Sequence, residues 1–259
     1  VAAARARRPA VDPTLEVERG LIDELGGSGV VVGLDEVGRG ALAGPVVVGA
    51  CAVRFAGGEP VAALPVGVRD SKALTARRRE ALVAPIGEAA HAHGLGWASA
   101  AEIDEHGIME ALALAALRAL DALGCPVDAI VLDGSADVLS GRLAAAAPGA
   151  VVPRVTLRVG ADRDCASVAA ASVLAKVARD ARMVELSRSA PDYRWDANKG
   201  YGAAAHREAI ERCGVHEEHR RSWNLGVRTA LRADVLWSAD VAGAQRAPGA
   251  RPDPQEATR

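Results

Sequence analysis

Runs of β-branched residues that end in an acid constrain this chain more than any other feature. Gly29–Asp35 reads GVVVGLD with Glu36 next in line, and Asp128–Asp133 reads DAIVLD. Branched side chains fit a pleated, half-buried surface better than a helix, so both runs are expected as strands of a sheet interior. A carboxylate at the end of such a strand is costly to bury unless its charge is paired or holds a cation. A fold built on these strands therefore has to provide for the acids at their ends.

Other segments alternate around these two. After a glycine-rich turn, Pro45–Arg54 (PVVVGACAVR) reads as a further strand, and the short connection predicts an antiparallel pair with the first. Thr75–Ala92 reads as a helix with Thr75 as its N-cap and Arg77–Arg79 on the exposed side. Leu95–Ala100 is expected as a third strand, Gly107–Leu123 as a strongly apolar helix, and Val151–Val159 as a strand beyond DAIVLD. Cys165–Ser189 reads as a long helix, with Val168, Ala171, Val177, Ala181 and Val184 near one face and Lys176, Arg179 and Arg182 off it. After Pro191 the chain is expected to be helical, basic and histidine-bearing to about Leu236. Antiparallel strands followed by alternating strand and helix predict an α/β fold. Its mixed sheet would be covered by helices on both faces, with functional groups where strands end. The Ala/Arg/Pro-rich residues 1–13 and the Pro/Gly-rich, charged residues 239–259 are expected as disordered tails.

Composition narrows the function classes. Half of the 259 residues are hydrophobic, enough for one sizeable core, and the net charge of −2 gives no global positive field. Any nucleic-acid surface must therefore be local. Aromatic residues make up 3% of the chain, too few for a base-stacking platform of many rings. Cys51, Cys125, Cys165 and Cys213 form no CxxC pair, so a disulfide framework or zinc ribbon is not expected and a reducing cytoplasm fits. Val1–Pro13 lacks the apolar run of a signal peptide, and charges interrupt the alanine-rich stretches before membrane-spanning length. GLDEVGRG lacks the GK[ST] ending of a P-loop and the GxGxxG spacing, which disfavours an NTPase. His216 and His219, with Cys213 nearby, have the look of zinc ligands, but no fourth ligand is evident. They are expected to hydrogen-bond within the C-terminal region instead.

Asp162 lies between a strand-like run and the long helix. If Asp35, Glu36, Asp133 and Asp162 converge on one sheet edge, they repel one another unless a divalent ion sits between them. Hard oxygen ligands suit Mg²⁺ or Mn²⁺. Two such ions roughly 4 Å apart activate a water and stabilise the leaving oxygen of a phosphodiester. Each acid taken alone also reads as a turn residue or a helix cap, and Asp162 and Asp164 both fit as caps of the helix that follows. Gly38-Arg39-Gly40, next to the acid pair, lets backbone approach a ligand and adds a phosphate-binding fork. The same three residues also fit a tight hairpin turn.

Six segments occur in order: GLDEVGRGALAGPVVVGACAV (Gly33–Val53), RDSKALTARRRE (Arg69–Glu80), VLDG (Val131–Gly134), GAD…AAASVLAKVARD (Gly160–Asp180), NKGYG…H (Asn198–His206) and HEEHRRSW (His216–Trp223). Together they resemble the ribonuclease HII family over residues 29–232. The resemblance implies an RNase H-like mixed five-stranded sheet flanked by helices, with a helical C-terminal region. The catalytic domain would span residues 14–190 and a substrate-binding region residues 191–238. It implies hydrolysis of the RNA strand of RNA–DNA hybrids and nicking 5′ of ribonucleotides embedded in duplex DNA. Two Mg²⁺ or Mn²⁺ ions would serve the reaction, leaving 3′-hydroxyl and 5′-phosphate ends. By position, the family's metal-binding and catalytic acids fall on Asp35, Glu36, Asp133 and Asp162; counting back from AAASVLAKVARD selects Asp162 over Asp164.

In the family, the segment matching Gly38, Arg39 and Gly40 reads the 2′-hydroxyl together with the tyrosine matching Tyr201. A ring against the sugar plus a hydroxyl partner suits that task, although Tyr201 alone also fits as a half-buried packing residue. Lys72 and Lys199 are candidate phosphate contacts, with Lys176, Arg179, Arg220 and Arg221 behind them. Asn198 departs from the family, which often has histidine there. An amide does not titrate near neutrality, which puts a proton-carrying role at that position in doubt. The protein is expected to act as a cytoplasmic monomer away from membranes. Two other classes compete: a catalytically silent hybrid-binding module and an RNase H-like nuclease of DNA junctions. The four acids argue against the former, and Gly38–Gly40 with Tyr201 against the latter.

Overall fold

The computed structural model describes residues 12–146 and 148–226. The expectations for residues 239–259, for nearly all of 1–13 and for 227–238 lie outside the described residues.

All five expected strands are present. β1 (Gly29–Val37) pairs antiparallel with β2 (Val46–Ala56) along its whole length, from Gly29 opposite Phe55 to Val37 opposite Val47. The two-residue β3 (Glu59–Pro60) turns back on the end of β2 and makes the sheet six-stranded. β4 (Ala92–Ala98) pairs antiparallel with β2, β5 (Ala129–Asp133) lies parallel beside β1, and β6 (Arg154–Arg158) lies parallel beside β5. The order is β3-β2-β1-β5-β6 with β4 on the outer side of β2.

Helices cover both faces. Side chains alternate along β1, so Val30, Val32 and Leu34 join one core layer with Ala111, Ala115 and Ala119 of α4 (Ile108–Asp121). Val31 faces the opposite layer, with Val168 of α6 (Ala166–Ser189). Both helices lie very close to the sheet. A Cβ on Gly33 would overlap the Ser167–Val168 backbone of α6, and one on Gly96 would overlap the Ala115 carbonyl of α4. Glycine at these positions sets the layer spacing at backbone contact. α2 (Ala76–Ala89) packs beside α6, and Thr75 caps it as expected, accepting from the Arg78 amide at 3.3 Å.

The helices α1 (Glu16–Glu24), α3 (Ala100–His106) and α5 (Ser140–Ala146) were not expected from the sequence. α1 has a structural task. Cys165, the N-cap residue of α6, makes no side-chain cap. Glu18, buried on α1, supplies one from outside: its Oε1 accepts from the Ser167 amide at 3.0 Å and from its hydroxyl at 2.6 Å. Among the described residues its other oxygen has no hydrogen-bond partner, and burial raises the Glu18 carboxyl above the usual range.

The expected two-sided character of α6 needs correction. Arg179 is completely buried, whereas Ala181 and Val184 are exposed. The reason is a second packing partner: α7 (Trp195–Asn198) lies against α6, so both sides of its middle are covered. α8 (Ala204–Cys213) follows. Among the described residues, no helix is long and apolar enough to cross a membrane.

Candidate active site

Strand register brings Asp35, Glu36 and Asp133 to one end of the sheet. Asp35 follows Val31 and Gly33 on the α6 face of β1, and Glu36 points to the other face. The parallel pairing runs to Leu34 opposite Leu132, so one step further sets Asp133 beside Asp35. Asp133 Oδ1 then accepts from the Gly160 amide at 2.7 Å and the Ala161 amide at 3.0 Å. Those bonds bring the 3₁₀ turn Ala161–Arg163, with the buried Asp162, to the same sheet end. Asp164 is engaged elsewhere, in an ion pair with Arg158 at 2.5 Å. A sequence reading that singled out Lys72 passed over Asp70, which sits beside Asp162 and accepts from the Lys72 amide at 2.9 Å. Its signal was an acid two residues before that lysine, inside an already notable block.

The electrostatics follow from this crowding. Burial pushes Asp35 up to about 8, with Glu36 the next cause and Asp133 and Asp162 adding to it. Glu36 is also raised by burial, with Arg39 partly offsetting it. Asp162 rises to about 6 through burial, then through Asp70 and Asp133. Burial opposes the Lys72 ammonium, but Asp35, Asp70, Asp162 and Glu36 together hold it above its usual range. The sheet end thus demands more positive charge than one lysine supplies. As they stand, the acids surround this end rather than closing on a point: among the described residues, no three His, Cys, Asp or Glu side chains form a metal-holding group. The donor chemistry itself, carboxylate oxygens without thiol or imidazole, suits a hard divalent ion.

A cleft of about 410 Å³ opens beside Asp35 and Glu36. Gly38, Arg39 and Gly40 form one wall, and Lys72, Lys176 and Tyr201 also reach it. Arg39 and Glu36 additionally border a smaller cavity of about 70 Å³ over Asp133, where Arg39 approaches Glu36 at 3.8 Å and the Met109 sulfur at 3.6 Å. Lys176 is half-buried and paired with Asp180 at 2.8 Å. Tyr201 is 37% exposed, and the Arg179 guanidinium lies 5.5 Å from its ring centre. Lys199 is not brought to the cleft; its ammonium bonds to the Asp196 carbonyl. Arg179 and Arg220 are not surface phosphate ligands either, since both are fully buried.

The C-terminal block fixes the backbone around Tyr201. Asn198 donates to the Tyr193 carbonyl at 2.7 Å and accepts from the Gly200 amide at 2.8 Å, so its side chain builds the turn. The His216 amide donates to His219 Nδ1 at 2.9 Å, which leaves the His219 proton on Nε2, 3.1 Å from His206 Nε2. His206 Nε2 also accepts from the Trp195 indole at 2.9 Å, so its own proton sits on Nδ1 and goes to the Tyr201 carbonyl at 2.9 Å. Burial lowers both rings, and with His206 next to it His219 falls to about 4. His216 and His219 therefore hydrogen-bond within the C-terminal region, as the sequence led one to expect.

Comparison with known proteins bears directly on this arrangement. The family model for ribonuclease HII matches residues 32–225. The ribonuclease HII of Thermosynechococcus vestitus is 45% identical over 194 residues, 74% of this chain and 83% of that protein. The ribonuclease HII of a Jannaschia species is 44% identical over 211 residues, 82% of this chain and 94% of that protein. Among solved structures, the ribonuclease H2 of Pyrococcus horikoshii is 26% identical, with a TM-score of 0.59 over 82% of this chain and 100% of its own.

Proposed function

Because this chain belongs to the ribonuclease HII family, we propose that it cuts the RNA strand of RNA–DNA hybrids and nicks duplex DNA on the 5′ side of embedded ribonucleotides. The products would carry 3′-hydroxyl and 5′-phosphate ends. The family makes the chain a ribonuclease H, a hydrolase of phosphodiester bonds; the substrate detail and the chemistry are our reading. One observation carries it: Asp35 and Glu36, at the acid-bearing end of the sheet, border a cleft walled by Gly38–Gly40 and Tyr201.

Asp35, Glu36, Asp133 and Asp162 would hold the metal, in keeping with an oxygen donor set and raised carboxyls that call for positive charge. A pair of Mg²⁺ or Mn²⁺ ions bound there would supply Lewis acidity for the attacking water and the leaving oxygen. The chain's own groups do the rest. Lys72 and Lys176 line the cleft as phosphate contacts, and Arg39 adds a half-exposed fork beside the acids. Tyr201 stacks against the ribose, and the Gly38–Gly40 backbone reads its 2′-hydroxyl, the group that separates RNA from DNA. All four cysteines are free, which agrees with a reducing compartment such as the cytoplasm.

The test compares three duplexes in Mg²⁺: an RNA–DNA hybrid, a DNA duplex with one embedded ribonucleotide, and an all-DNA duplex. Cleavage of the first two at the stated bond, and not of the third, is expected. Binding without cleavage would convert the reading to a silent hybrid-binding module, and cleavage of branched DNA alone to a junction nuclease.

A further inference from the structure

Arg179 on α6 and Arg220 in the C-terminal block are completely buried, and among the described residues neither forms an ion pair. A buried guanidinium without a carboxylate is costly. Burial, and then Arg179, pull Arg220 down to about 9, so the charge persists at neutral pH. Both guanidinium groups spend their donors on backbone carbonyls. Arg220 donates to Gly38 at 2.7 Å, to Arg39 at 2.8 Å, and to Gly44 at 3.1 and 3.2 Å. Arg179 donates to Pro45 at 2.9 Å, to Lys199 at 2.9 Å and to Ala43 at 3.3 Å. The two arginines thus hold the glycine-rich wall and the Tyr201 turn from behind.

This has a directional consequence. The described peptide bonds are all trans, so the carbonyl of one residue and the amide of the next point to opposite sides. Arg220 draws the Gly38 and Arg39 carbonyls into the interior, which turns the Arg39 and Gly40 amides outward, to the cleft side. Among the described residues, neither amide donates elsewhere. Gly38 adopts φ +92°, and a Cβ there would overlap the Arg179 guanidinium, so the loop is seated directly on this support.

We propose that Arg220 is the positioning residue for ribose recognition, keeping two adjacent amides aimed into the cleft, and that Arg179 seats the Tyr201 ring against the same loop. The proposal rests on the cleft being the ribose-reading site.

Amide hydrogen exchange on the parent protein, with Ca²⁺ present so that substrate stays intact, tests the geometry. The Arg39 and Gly40 amides should exchange freely in the unliganded protein. They should become protected by a duplex with one ribonucleotide and not by an all-DNA duplex. Arg220→Lys keeps the charge but has three donors on a single nitrogen, which cannot reproduce the four bonds that the planar fork spreads over the Gly38, Arg39 and Gly44 carbonyls. Its kcat/KM on the single-ribonucleotide duplex should fall about ten- to a hundredfold, the scale of an unsatisfied recognition contact. Its Mg²⁺ affinity and all-DNA affinity should stay within roughly threefold, since phosphate and metal contacts lie elsewhere; a merely structural role would lower all three. Protection of those amides in the free protein, or parental discrimination in Arg220→Lys, overturns the proposal. If Arg220→Lys does not fold, the exchange pattern of the parent decides. A parent that fails to prefer the ribonucleotide duplex overturns the underlying reading of the cleft, and the proposal with it.

Discussion

Replacing Asp35 by Asn should abolish cleavage and at the same time make the metal-free protein more stable at alkaline pH. Asp35 shifts from 3.8 to about 8, through burial first and Glu36 second. Between those values the folded chain keeps a proton that the unfolded chain has released, so stability falls as pH rises across the window and is lowest above it. A gap of about four pH units, at about 1.4 kcal/mol each, amounts to roughly 5–6 kcal/mol. Even half of that, about 3 kcal/mol, shifts the melting midpoint of a chain this size by roughly 6–12 °C. Asn retains an oxygen to accept the Glu36 amide, now at 2.9 Å, and carries no charge at any pH. In thermal melts with EDTA, the two proteins should coincide near pH 4, while at ~pH 8.5 the variant should melt about 10 °C higher. Added Mg²⁺ should raise the parent and leave the variant nearly unmoved, because a ligand that binds only the folded state stabilises it. A variant that melts at or below the parent at alkaline pH in EDTA would refute the electrostatic argument. Full cleavage by the variant in saturating Mg²⁺ would refute the metal assignment.

Tyr201→Ala should lower cleavage of a single-ribonucleotide duplex by roughly ten- to a hundredfold, about 1–3 kcal/mol, and leave all-DNA affinity unchanged. Tyr201→Phe keeps the ring beside Arg179, so near-parental activity would assign the effect to packing and an Ala-like loss would assign it to the hydroxyl. Wild-type cleavage by the Ala variant would remove Tyr201 from the reading altogether. Gly33→Ala should yield little folded protein, because its methyl has no space against the α6 backbone; a soluble variant with an unchanged circular-dichroism melt would contradict the close approach. Glu18→Ala should cost about 1–3 kcal/mol in urea unfolding by leaving the Ser167 donors unpaired, and no change in midpoint would show that the cap contributes nothing.

β1, β2 and β5 were readable because each holds a short branched run bounded by glycine or an acid, and α2, α4 and α6 because their apolar residues recur over three turns or more. α1 was hidden: only Glu18, Leu21 and Ile22 of its nine residues are buried, and one of those is an acid whose partner lies 149 residues away. The acids could be named individually from strand endings, but their meeting depends on the β1–β5 register, a property of pairing rather than of either run. Arg179 and Arg220 show the opposite case. Composition marks an arginine as a surface cation, and only tertiary structure reveals that these two face inward, with backbone carbonyls as their partners. Lys199 fits the same lesson: a motif position brought it to notice, and the local turn directs its ammonium to Asp196 instead.

α6 and β1 run side by side in matched steps. Gly33 meets the helix backbone at Ser167, and Gly38, one residue past the strand, meets the Arg179 side chain. The strand covers about 17 Å between its two contacts at about 3.3 Å per residue, and the helix about 18 Å at 1.5 Å per residue. Inserting or deleting one helical residue between them would rotate everything beyond by about 100° and carry Arg179 out from under the loop. Insertions and deletions in chains of this kind should therefore be absent from residues 167–179 and gather in the connection between β5 and β6, whose helix α5 has no buried residue. The distance between the acid end of the sheet and the Gly38–Gly40 wall of the cleft is thereby inherited as a count of residues.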